Sequence, residues 1–82
     1  MRIDKFLKVS RIIKRRTVAK ELTDNGRARI NGRVAKASSE VAIGDVITLM
    51  LGGKELRVRV KEIVDTTKKE EALNMYEVIG EE

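Results

Sequence analysis

Lys14, Arg15 and Arg16 stand directly before Thr17 in the stretch IKRRTVAKEL, residues 13–22. Cations packed this closely do one kind of chemistry well: they neutralise and orient anions. Arginine does so with paired N–H donors matched to phosphate oxygens. Thr17 reads as the N-cap of a helix, and Val18, Ala19 and Leu22 follow as an apolar stripe at spacings of three and four. A helix start carries partial positive charge and favours acidic neighbours. Three bases there oppose the helix by a few tenths of a kcal/mol each, unless another molecule brings the anion. Arg15 and Arg16 beside the first-turn amides would then act on the same phosphate.

The charge distribution supports an external polyanion. Residues 1–36 hold twelve Lys and Arg against three acids, whereas residues 37–82 hold six against ten, within a net charge of +5. A solvated charged surface normally mixes both signs. Segregation on this scale points to a nucleic-acid-binding half and a supporting half.

Catalysis finds little to work with. The absence of Cys and His removes disulfides, thiolate zinc sites and His-based acid–base chemistry. No phosphate-cradling glycine loop is present, because Gly52-Gly53-Lys54 runs into Glu55 and a strand pattern. The acids show no metal-ligand spacing, and no cofactor is expected. Met1-Arg2-Ile3-Asp4 leads straight into charged, helix-like sequence, and no apolar run approaches ~18 residues. The expectation is a cytoplasmic monomer with no membrane partner.

The kind of nucleic acid follows from what is missing. Single-strand readers stack bases on aromatic platforms, yet Phe6 and Tyr76 are the only aromatics. Backbone-dominated recognition of a folded or double-stranded shape fits better. A helix-turn-helix reader of duplex DNA stays open on pattern. It would need base-reading side chains at the start of its recognition helix, where only Lys20 and Glu21 are polar among apolar neighbours.

These side chains need elements to carry them. Asp4 can cap a first helix with Ile3, Phe6 and Leu7 on its apolar side, and Lys5, Lys8 and Arg11 repeat every three residues along one face. A second helix is expected from about Thr17 to Asn25, closed by Gly26. The pair could form a helix-turn-helix or another compact unit. Arg27 to Ile30 alternates with the strand period, and Asn31-Gly32 is the dipeptide of tight hairpin turns. Pairing Ile30 with Arg33 would mix charged and apolar side chains, so a twisted or irregular return strand is expected near 33–35. Val46 to Leu51 and Glu55 to Lys61 read as further strands, the second with Leu56, Val58 and Val60 inward and Arg57, Arg59 and Lys61 outward. Those three bases are either a secondary basic face or solvated strand surface. Thr67 and Glu70 fit a capping box for a short helix before a last strand at Met75–Ile79, and Glu81-Glu82 reads as a frayed tail.

Arg2-Ile3-Asp4-Lys5-Phe6-Leu7, Arg15-Arg16-Thr17 with Ala19 and Leu22, Gly26-Arg27-Ala28-Arg29-Ile30-Asn31-Gly32 and Gly44-Asp45 together resemble the S-four RNA-binding domain, also called the αL RNA-binding motif. The resemblance covers about residues 1–50. It implies an α+β fold in which two packed N-terminal helices lie on a small, mainly antiparallel sheet, with 51–82 a strand-rich extension of the same single domain. The RNA-binding residues it implies, together with Lys8 from the basic helix face, are Arg2, Lys5, Lys8, Arg15, Arg16, Thr17, Lys20, Arg27, Arg29, Asn31 and Gly32. Asp4 is expected to order Arg2 or cap its helix rather than meet a phosphate. The length and the 65–76 segment are similar to the small S-four proteins of bacterial ribosome-associated quality control. That likeness implies large-subunit rRNA, tRNA or peptidyl-tRNA, the large ribosomal subunit and the tRNA-recruiting RqcH factor as partners, and support of C-terminal alanine tailing. A stable ribosomal or assembly protein is the alternative.

Overall fold

A computed structural model of the chain describes residues 1–65 and 68–81. Three helices, α1 (Ile3–Val9), α2 (Arg16–Asp24) and α3 (Lys69–Ala72), accompany five strands: β1 (Ala28–Ile30), β2 (Arg33–Val34), β3 (Val46–Leu51), β4 (Lys54–Val60) and β5 (Tyr76–Glu81). The strands form one antiparallel sheet in the order β2-β1-β3-β4-β5. Every connection between sheet neighbours except β1–β3 and β4–β5 is a two-residue turn, the geometry that antiparallel pairing permits. The α+β architecture expected from the sequence is the one observed.

Strand alternation places the core on one side of the sheet. Ala28, Ile47, Leu49, Val58 and Val60 point towards Ile3, Phe6 and Leu7 of α1 and Ala19 of α2, and Ile13 and Met75 close the cluster. α1 and α2 pack on one another and cover this face of the sheet.

The ends of the helices depart from expectation. The N-cap of α1 is Arg2, and Asp4 is the second helical residue. The first amides of α1 donate instead to backbone carbonyls, Ile3 N to Ser39 O at 2.7 Å and Asp4 N to Ala37 O at 3.4 Å. Arg15, not Thr17, is the N-cap of α2, and it forms no side-chain cap hydrogen bond. Because α1 stops at Val9 and Arg11 adopts a left-handed φ of 64°, Lys5, Lys8 and Arg11 do not share one helical face.

Asn31 and Gly32 both have positive φ, 51° and 83°, as a primed two-residue turn requires. Ile30 does pair with Arg33, and the return strand is regular but only two residues long and exposed. At the sheet edge beyond the helices, a mixed pair carries little penalty. The capping-box position Thr67 lies outside the described residues. Glu81, read as part of a frayed tail, lies in β5 and pairs with Leu56 of β4.

Candidate RNA interface

Asp4 is the organising residue of the helix side. It is 2% exposed, and its carboxylate is surrounded by donors: Lys5 N to Oδ1 at 2.8 Å, Arg2 Nη2 to Oδ2 at 3.1 Å and Arg16 Nη2 to Oδ1 at 3.4 Å. A buried carboxylate demands such compensation. The consequence is positional. Arg2 from the start of α1 and Arg16 from the start of α2 are drawn to one point, while each side chain stays nearly half exposed, 45% and 46%. One nitrogen of each guanidinium faces Asp4, and the remaining N–H groups are left for an outside acceptor. Asp4 therefore orders Arg2, as expected, and orders Arg16 as well.

Beside this pair, the first turn of α2 holds no acid and no side-chain cap. Arg15 and Thr17 are exposed around it, with Lys20 one turn further along. The arrangement supplies charge, planar donors and helix-start amides without a side-chain cap within one surface, the composition of a phosphate site.

Further along the helix side, Lys8, Arg11, Lys14 and Lys69 line a shared depression. Arg11, Lys14 and Lys69 are absent from the set the sequence implied. Arg11 and Lys14 follow the end of α1, where Arg11 turns the chain with a positive φ, and Lys69 arrives from the opposite end of the chain. Lys5 takes a different direction and meets Asp65, with Nζ 3.3 Å from Oδ1.

The remaining implied residues lie elsewhere. Ala28 faces the helices, so Arg29 points to the opposite side of the sheet, where it lines a groove with Arg27, Thr48 and Arg57. The expected single RNA face is thus divided between two sides. Asn31 is occupied: its Nδ2 donates to Asp45 Oδ1 at 3.1 Å, and its Oδ1 accepts from Val46 N at 2.9 Å. Asp45 Oδ2 in turn accepts from Ala42 N at 2.8 Å. The Asn31-Gly32 and Gly44-Asp45 motifs, distant in sequence, form one clasp, and Gly32 both completes the turn and lines the groove beside Arg29.

Residues 1–47, which carry both the Arg2–Asp4–Arg16 cluster and the clasp, match the family model of the S4 domain. The chain belongs to the S4 domain family. The RQC P-site tRNA stabilizing factor of Bacillus subtilis (strain 168) is 62% identical over 82 residues, covering 100% of this chain and 95% of that relative. The factor of the same name from Streptococcus pneumoniae (strain ATCC BAA-255 / R6) is 56% identical over 81 residues, covering 99% and 92%. Among solved structures, the trimeric Vibrio cholerae heat shock protein 15 superposes with a TM-score of 0.88 at 34% identity, over 95% of this chain and 80% of that one. The likeness to these proteins runs past residue 47, over the segment that forms β4, α3 and β5 here. Among the described residues, no helix is long and apolar enough to cross a membrane and no acidic cluster could hold a metal ion.

Proposed function

We propose that the chain is a non-enzymatic RNA-binding factor of ribosome-associated quality control. It binds large-subunit rRNA and tRNA on obstructed large ribosomal subunits that carry peptidyl-tRNA. Alongside the tRNA-recruiting RqcH factor, it supports C-terminal alanine tailing of the stalled chain as a monomer. The observation that carries the RNA reading is the buried Asp4 carboxylate presenting Arg2 and Arg16 together at the uncapped start of α2. The names of the relatives supply the ribosomal setting. Holding a tRNA in place requires affinity and shape rather than bond making. Arg2, Arg15 and Arg16 grip phosphates, Thr17 and Lys20 extend the contact, and Lys8 lies further along the same side.

The test is recovery of a tagged chain from cells with stalled translation. Large subunits bearing peptidyl-tRNA should come with it, and Arg16→Ala should reduce their yield and flatten the salt dependence by about one log–log unit per lost phosphate contact. Equal association with every large subunit, loaded or empty, would favour a stable ribosomal component instead.

A further inference from the structure

The groove on the helix-free side of the sheet has no role in the helix-side reading above, although two of its arginines, Arg27 and Arg29, belong to the set the S-four resemblance implies. Directly paired positions run across it in one row: Val34, Arg29, Thr48, Arg57 and Gly80. With β3 between them, Arg29 and Arg57 stand two strand spacings apart, about 10 Å. Arg27 reaches the same groove from the residue before β1. Its one acid, Glu55, approaches Arg57 Nε only to 3.9 Å.

The placement of Arg57 has a specific structural basis. A Cβ at position 80 would lie 2.8 Å from both Nε and Nη2 of Arg57, so the guanidinium rests against bare backbone on the edge strand. Between Arg57 and Val58 the pairing with β5 shifts register, which admits Ile79 as an extra residue. A bulge bends a strand and re-aims its side chains, and glycine inside a strand marks close approach. Both features act at the one arginine that completes the groove.

We propose that this face is a second phosphate-binding surface for structured RNA, so that the chain bridges two RNA segments, one on each side of the fold. Three guanidiniums around a threonine hydroxyl suit phosphate and ribose oxygens. Among the described residues, no aromatic side chain lines the groove to stack bases, which favours the backbone of a folded RNA over an unpaired strand. The like charge of the arginines opposes pairing with a second copy of the same face. The bridging rests on the helix-side reading, whereas the groove's own affinity does not.

A two-colour capture assay tests it. One RNA hairpin is immobilised, the full chain is added, and retention of a second, labelled hairpin is read, with hairpin affinity measured separately across a salt series. Wild type should retain the second hairpin. The double variant R29Q/R57Q should still bind one hairpin, lose retention of the second, and lose about two units of log–log salt slope. Gly80→Val keeps every charge but displaces the Arg57 guanidinium, and should lower retention several-fold. Matching circular dichroism melts confirm that each variant is folded. Unchanged retention and slope in both folded variants would overturn the proposal, and would leave the face to an acidic protein partner. If Arg16→Ala alone leaves hairpin affinity intact while R29Q/R57Q reduces it, the helix-side reading fails and the groove stands.

Discussion

The residue that decides the helix side carries the wrong charge for an RNA interface. Asp4 is negative and buried, yet it fixes two arginines whose free donors face outward. Asp4→Asn separates this positional role from bulk electrostatics. The change raises the net charge above +5, so a purely electrostatic surface would bind RNA more tightly. The geometry predicts weaker association, because Arg2 and Arg16 lose the acceptor that holds them side by side. Stability should fall by about 1–3 kcal/mol, the cost of an impaired buried polar group. It should stay below the ~3–5 kcal/mol of a fully enclosed pair, since both arginines can return to water. Filter binding across a salt series, with a denaturant melt on the same sample, reads both effects. Tighter binding by the variant would show that Asp4 acts only as a repulsive charge.

Among the elements, the Asn31–Asp45 clasp joins the β1–β2 hairpin to the entry of β3. Asn31→Ala removes two hydrogen bonds and leaves a residue with a Cβ at a φ of 51°. Roughly 1 kcal/mol per hydrogen bond gives an expected loss of about 2 kcal/mol, with a smaller addition because Ala tolerates the left-handed region less well than Asn, read as a lowered denaturation midpoint. RNA affinity of the folded protein should hold, since the side chain already has its partners. The strands were legible because alternation is a two-residue signal: Val46–Leu51 appears with the bounds read from the sequence, and β4 is shifted by one residue. The helix starts were harder to place. Backbone carbonyls at 37 and 39 take the part of a side-chain cap at α1, and Arg15 precedes α2 without one, so cap-residue preferences point two positions too far inward. The basic face drawn through Lys5, Lys8 and Arg11 extended a helical period past the helix end. The side taken by Arg29 follows from its alternation with Ala28: apolar Ala28 seeks the helices, and its neighbour must point away. Lys69 joins Lys8 and Lys14 only through tertiary packing, which no local pattern records.

At the scale of the whole molecule, the S4 match ends at residue 47, but the core does not. Val58, Val60 and Met75 are buried with Ile47 and Leu49, and β4 pairs along the full length of β3. A fragment ending at Leu51 would lose three core side chains, each contributing about 1.5–3 kcal/mol on burial, or ~5–9 kcal/mol together. At ~0.05–0.15 kcal/mol per residue, a domain of 82 residues has about 4–12 kcal/mol in all. The fragment would also leave β3 with an unpaired, apolar edge, a site for association between chains. The 1–51 fragment should therefore be unfolded or aggregated, with no cooperative melt by circular dichroism and no dispersed amide spectrum. RNA affinity should fall with the fold rather than with charge, because the fragment retains every base of the helix side except Lys69. A cooperative transition in that fragment would make residues 52–82 an appendage. Its absence makes the acidic half the structural support on which the basic half depends.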